Sequence, residues 1–172
     1  MTRIPVPVAG ELRPDAEQLV AAIAPPGREP AKTMAVLARQ PDLLAPFLGW
    51  AAALALNGVL PKRDHEILAL RVASNCKSAF EWVEHVEYAR AAGLSDAEIH
   101  LVAAAIEAGS WIEAEQALLR AADELHETDD VSDETWAVLA RHYEPPALVE
   151  LLFVIGQYTM LSMVANAAGL DG

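Results

Sequence analysis

The chain has 172 residues, enough for one domain with a buried core. Hydrophobic residues make up 53 % of it and aromatics only 6 %; Ala and Leu dominate, a mixture that favours helices over strands. The formal net charge of −13 argues against nucleic acid and anionic membrane surfaces as partners, because both require basic patches.

In chain order, residues 1–12 read as an extended arm, with Pro5, Pro7 and Gly10 blocking regular structure. A short helix is expected over 15–24, stopped by Pro25, Pro26 and Gly27, and a second over 31–39. Asp42 is placed to cap a third helix that runs to about Leu56 and ends at Asn57 and Gly58. The next helix begins between Pro61 and Asp64, carries Glu66, and is mostly buried through Ile67, Leu68, Leu70, Val72 and Ala73. A break is expected at 74–77.

Ser78 followed by Glu81 has the spacing of a capping box, in which the side chains at the two ends of a helix's first turn satisfy each other's backbone N–H groups. That helix reaches about Ala92 and ends at Gly93. The same pattern at Ser95 and Glu98 opens a helix to about Glu107, and at Ser110 and Glu113 a helix to about Glu127. Ser132 caps a short helix over 133–143, and Pro145 and Pro146 lead into a last helix over 147–168. The expectation is an all-α protein of eight or nine helices, with residues 1–40 as an arm and short helices and 41–172 as a helical domain, packed as one unit. Short connections imply antiparallel neighbours.

Two stretches, 43–60 and 151–170, approach the length of a membrane span. Pro46, Asn57 and Gly58 interrupt the first; Gln157, Tyr158, Thr159, Ser162 and Asn166 lie along the second; no Lys/Arg cluster flanks either. They read as helices buried in a bundle or in a subunit interface. The start has no apolar run of signal-peptide length, and the lone Cys76 permits no intramolecular disulfide, so a cytoplasmic location is expected.

Residues 64–90 hold that cysteine, two of the five histidines and Trp82, together with ionisable groups set beside apolar runs. Glu81 and His85 are four apart and share a helix face, with Trp82 and Ala89 beside it. A carboxylate next to an imidazole favours the imidazolium, whereas burial opposes it; the balance can set the ring near neutrality, where it both takes and gives a proton. Two antiparallel helices joined at 74–77 would bring Glu66 close to His85.

Plainer readings stand beside this one. Glu81 completes a capping box, Glu66 is a surface residue near a helix start, and His85 is a core histidine bonded to a carbonyl. Cys76, beside Lys77 and ahead of a helix N-terminus, is either an activated thiol or a structural one. A dithiol redox centre is out of reach without a second cysteine. Glu81, His85 and the nearby His65 do not make a recognisable ligand spacing, so no metal is expected. His100, His126 and His142 are expected to face solvent; Tyr158 and Asn166 line a cavity or bond across an interface; Trp50, Trp111 and Trp136 are core or interface anchors.

The run Glu66, Ser78, Glu81, His85, with separations of twelve, three and four, resembles the motif region of the carboxymuconolactone decarboxylase and alkylhydroperoxidase-D-like superfamily. The segments HVEYARAAGLSDAEI, ALLRAADELHETDDVSDETWAVL and GQYTMLSMVANAAG are similar to that family in the same order. In the hydroperoxidase branch the motif is Glu, then Cys-x-x-Cys, then His. Ser78 and Glu81 therefore stand where that branch has its cysteines, and Cys76, two positions earlier, is no direct substitute.

The resemblance implies an AhpD-like multi-helix bundle, assembled as a homotrimer or a hexamer of two trimers, with active sites in apolar pockets near subunit contacts. It carries over Glu66 and His85 as a proton-handling pair. The expected activity is a cofactor-free lyase, a decarboxylase or a related proton-transfer enzyme, acting on a small carboxylated or lactone substrate. His85, Glu66 and Glu81 would be the catalytic residues, with Ser78, Cys76, Trp82 and Tyr158 as accessory groups. The alternatives are a peroxidase-like antioxidant protein using Cys76 with an external thiol, and a non-catalytic helical oligomer that binds a small apolar ligand.

Overall fold

The computed structural model describes residues 2–8, 10–24 and 29–170. Among these residues the chain forms nine α-helices and one 3-10 turn, and no strand: α1 (Pro14–Ile23), α2 (Lys32–Leu37), α3 (Pro41–Asn57), α4 (Lys62–Asn75), α5 (Ala79–Ala91), α6 (Asp96–Val102), the 3-10 turn Ile106–Ala108, α7 (Glu113–Thr128), α8 (Asp133–His142) and α9 (Pro145–Ala168). The expected all-α class holds. The expected stop at residues 25–27 lies outside the described residues. Contacts group the chain into two compact units. One takes in the chain up to Asn57 together with Val164–Leu170; the other is Gly58–Met163.

In the first unit, Ala16, Val20, Ala38 and Leu44 form a small core, with Leu12, Leu19, Leu37 and Leu48 packed on it. The N-terminal arm is tied down by backbone bonds from Arg3 and Ile4 to the Ala168 carbonyl, at 2.7 and 3.1 Å. These bonds occupy one of the carbonyls that a helix end leaves without an intrahelical donor. Helix α3 is apolar along nearly its whole length, yet Leu44 is the only one of its residues that is fully buried. Leu43 and Leu56 are exposed.

The second unit is built on α4, in which residues 65–73 are all buried. Such a helix must satisfy its polar side chains within the protein. Arg71 does so through a fork of two 2.6 Å bonds to Asp123 on α7 and two 2.7 Å bonds to the carbonyls of Val102 and Ala104. Asn75 adds a 2.8 Å bond to the same aspartate. The apolar core beside it comprises Ile67, Leu70, Ala89, Leu94, Ile99, Val102, Trp111 and Leu119, with the half-buried Trp82 against it.

The Arg71 fork accounts for a difference from the expected elements. The helix expected to reach about Glu107 ends at Val102, because the guanidinium takes the Val102 and Ala104 carbonyls and turns the chain into the 3-10 segment. The next start also moves. Ser110 does not cap α7; Ile112 occupies the cap position, and Glu115 reaches back to its N–H at 3.2 Å. The box at Ser95 and Glu98 is complete, and Ser132 caps α8 through the Thr135 N–H. Gly93, at φ 93°, ends α5 in a conformation that glycine adopts without strain.

Helix α9 is the one helix among the described residues long and apolar enough to cross a membrane, and half of its apolar window is buried inside the protein. Its Glu150 accepts bonds from the Val59 and Leu60 N–H groups, at 2.6 and 3.2 Å, and so fastens the helix to the segment that leads into α4.

Replacing Arg71 by Leu leaves the Val102 and Ala104 carbonyls without this donor and Asp123 with only Asn75. The expected cost is about 3 kcal/mol, read as a lower urea midpoint at unchanged slope.

Candidate active site

The turn between α4 and α5 fixes the site. Ser78 N–H bonds to the Ala73 carbonyl at 2.8 Å and Lys77 N–H to that of Ser74 at 3.0 Å, with Lys77 left-handed at φ 52°. This is a Schellman closure with lysine where glycine is usual. Glu66 lies seven residues before Ala73, and His85 seven after Ser78. At 1.5 Å per residue both stand about 10.5 Å from the turn, so the two side chains meet at equal height.

They meet as a buried pair, with His85 Nδ1 2.8 Å from Glu66 Oε2. A carboxylate only accepts, so Nδ1 donates to Glu66, and Nε2 is the ring nitrogen that this bond leaves available. Nε2 faces Glu81 Oε2 at 4.0 Å. Glu81 is itself buried, and its Oε1 has no hydrogen-bond partner among the described residues. Burial raises its pKa from 4.5 to about 7, with His85 opposing and Glu84 adding to the shift.

Helix α9 supplies the third side. The Tyr158 ring stands edge-on to His85, centroids 4.4 Å apart, and its hydroxyl shares a 2.9 Å hydrogen bond with His65 Nε2. The buried Gln157 side chain beside it opposes the upward shift of the phenol's pKa. Burial, then the charges of Glu66 and Glu81, push Tyr158 up and keep it protonated. Burial lowers the His65 pKa, so that ring stays neutral near pH 7. Tyr88 lies tilted to His85, ring centroids 5.6 Å apart, and is exposed.

Glu66, Glu81 and His85 thus come together, and the plainer readings of each fail on geometry. Glu66 is not at the surface. His85 bonds a carboxylate rather than a carbonyl. Ser78 caps α5 by accepting the Glu81 N–H at 3.4 Å, but its own N–H goes to Ala73, so the Glu81 carboxyl does not close a box. Ser78 is almost fully buried, with its hydroxyl used in the cap.

Cys76 differs from the activated thiol considered above. It ends α4 rather than starting α5, where the helix dipole disfavours a thiolate. Burial pushes its pKa up, with the Ser162 and Thr159 hydroxyls opposing the shift. Tyr158, read as a cavity or interface residue, is buried inside this unit and touches both histidines. His65 and Gln157 are site residues that the spacing argument missed. The signal available was the polar run Gln157, Tyr158 and Thr159 in a mostly apolar helix. His100, His126 and His142 are exposed, Trp111 is in the core, and Trp50 and Trp136 are exposed.

Comparison with known proteins places this geometry in context. The model of the carboxymuconolactone decarboxylase family matches residues 41–124, which span α3 to most of α7. No curated protein matches the sequence. Among solved structures, an alkylhydroperoxidase AhpD core protein, peroxidase-related, from Ralstonia eutropha JMP134 is similar at TM-score 0.85 and 19 % identity, over 99 % of this chain and 91 % of that one. A peroxidase-related protein from Silicibacter sp. TM1040 is similar at TM-score 0.84 and 17 % identity, over 98 % and 90 %. A cysteine-to-alanine variant of the debrominase Bmp8, in complex with 2,3,4-tribromopyrrole, is similar at TM-score 0.81 and 16 % identity, over 98 % and 90 %. At these identities the likeness is one of fold.

Because its pKa is raised, Glu81 holds its proton more tightly in the folded protein than in the unfolded chain. Its contribution to stability is complete below about pH 4.5 and is lost as pH rises through about 7. The full swing is about 3 kcal/mol. Urea unfolding across this range is expected to show Glu81→Gln lacking that fall and exceeding wild type above pH 7.

Proposed function

We propose that this chain, whose residues 41–124 match the model of the carboxymuconolactone decarboxylase family, is a cofactor-free acid–base enzyme. It moves a proton at a carbon next to a carbonyl in a small substrate of the lactone or carboxylated lactone kind. The observation that carries this reading is the buried 2.8 Å pair of His85 and Glu66, with the imidazole's other nitrogen turned towards Glu81.

Each part has a chemical role. Glu66 holds the ring in one tautomer and stabilises the imidazolium that forms when Nε2 takes a proton. Glu81, near neutral in pKa, supplies or receives a proton on the same side. The edge of Tyr158 restricts the ring's rotation. In a decarboxylation, the carbanion left by departing carbon dioxide would be protonated from this cluster; in the related proton transfers, the same groups act without loss of carbon. Use of Cys76 as a peroxidatic thiol fits its surroundings less well, since the thiolate is the nucleophile and burial disfavours it.

Assembly into a homo-oligomer is part of the proposal. On α9, Val149, Gly156, Met160 and Met163 are exposed along one stripe, and α3 exposes Leu43 and Leu56 without a charge after Asp42. Uncharged helical faces of this kind mark contact surfaces.

Deuterium uptake from heavy water into lactone and β-keto acid probes, followed by NMR, tests the chemistry. His85→Gln and Glu66→Gln are expected to lower the rate by about a hundredfold or more; wild-type rates in His85→Gln would end the proposal. Sedimentation velocity at micromolar concentration is expected to give a trimer or hexamer, and a stable monomer would contradict the assembly.

A further inference from the structure

We propose that His65 is a positioning residue for His85, acting through Tyr158: its bare Nε2 anchors the phenol that fixes the His85 ring, and the two imidazoles are coupled so that a proton on one hinders a proton on the other. This rests on the acid–base reading above and adds a regulation of the same site.

One phenol ring spans both histidines. Tyr158 stands at 86° to His65, centroids 5.6 Å apart, and at 76° to His85, centroids 4.4 Å apart. Its hydroxyl lies 2.9 Å from His65 Nε2. The imidazoles belong to different helices, α4 and α5, and α9 brings the phenol to both. All three side chains are buried. An imidazole turns about its outer torsion in a broad, two-fold well. Half a turn of His85 would put carbon where Nδ1 meets Glu66 and where Nε2 faces Glu81. The Tyr158 ring opposes that turn as long as it is itself held, and the bond to His65 holds its far end.

That bond has a direction. Burial keeps the phenol protonated, so its O–H donates and His65 Nε2 accepts, which a nitrogen does only when it carries no proton. A proton arriving on Nε2 reverses the bond. The imidazolium then donates to the phenol oxygen, and the phenol O–H loses its acceptor in a buried place, at a cost.

Charge adds a second constraint. The groups that act on His65 are Lys62 and Glu66 on α4, His85 on α5 and Glu150 on α9. Burial opposes a proton on the ring most strongly; Lys62 and His85 oppose it as well, and the two carboxylates favour it. Among the described residues neither carboxylate bonds His65. Glu66 accepts from His85 Nδ1, and Glu150 Oε2 accepts from the Val59 and Leu60 N–H groups. Two imidazolium rings would thus flank one phenol with a single carboxylate bonded between them. His65 stays neutral near pH 7 and takes its proton only below 6.5, the ordinary histidine value. There its charge works against the proton that His85 must accept.

The test uses the full chain with 15N-labelled histidines, read by imidazole NMR over about pH 4 to 8. At neutral pH, His65 is expected to show a bare Nε2. His85 is expected to titrate in two steps, because His65 titrates beside it. His65→Gln sets an amide oxygen where Nε2 stands and never becomes charged; it is expected to keep the wild-type His85 tautomer and to reduce the titration to one step. Tyr158→Phe keeps the ring and loses the bond. It is expected to broaden the His85 signals by exchange between two ring orientations, and to lower deuterium uptake into lactone and β-keto acid probes about tenfold. His65→Leu is expected to match it, with His65→Gln faster than both; restored shape without an acceptor would not give that order. A one-step His85 titration in wild type, with unchanged sharp signals in every variant, overturns the inference and leaves the acid–base reading standing. The expected signals with no uptake into any probe support the positioning and overturn the acid–base reading.

Discussion

Helix α4 is buried along residues 65–73, and three of those residues are polar: His65, Glu66 and Arg71. A buried polar group without a partner costs a large fraction of a domain's whole stability. Each of the three therefore dictates where another element must lie. Arg71 requires Asp123, which sets α7, and two carbonyls, which set the end of α6. Glu66 requires His85 on α5, and His65 requires Tyr158 on α9. The arrangement of the second unit follows from satisfying one helix, and the groups that satisfy it on one side are those that can do chemistry.

Glu81 stands outside that rule. It is buried, yet one of its oxygens lacks a donor, and its carboxyl does not close the capping box its position suggests. Protonation relieves part of the cost of burying it, which is the physical content of its raised pKa. Natural folds tolerate such a group where it serves a purpose other than stability. The contrast with Glu98 is instructive. That residue has the same spacing from a serine, but it closes its box, pairs with Arg63, and has its pKa lowered to about 2. Two identical sequence patterns thus fold into a carboxylate that is paired and one that is buried without a donor on one oxygen. What separates them is burial and the presence of an arginine.

Much of this was legible beforehand. Helix count and order follow from alternating apolar stretches and serine caps, and the meeting of Glu66 with His85 follows from the turn at 74–77. Other features were not legible, for physical reasons. The early end of α6 depends on Arg71, thirty-one residues away, donating to its terminal carbonyl. The start of α7 moved because Glu115 reaches back to a backbone N–H whatever residue occupies the cap. The partnership of His65 with Tyr158 spans ninety-three residues and has no local spacing to reveal it. Sequence places Cys76 beside the start of α5, but it caps the end of α4, and that helix governs its electrostatics.

The occupants of positions 78 and 81 also have a consequence for upkeep. A pair of thiols that works by forming and breaking a sulfur–sulfur bond must be handed electrons after every turnover, and a strong oxidant can push it past recovery. A hydroxyl tied up in a helix cap and a carboxyl that only trades protons have no such ladder to climb. Whatever passes through this protein, those two positions return to their starting state with the solvent as their only supplier, and a burst of peroxide leaves them as they were.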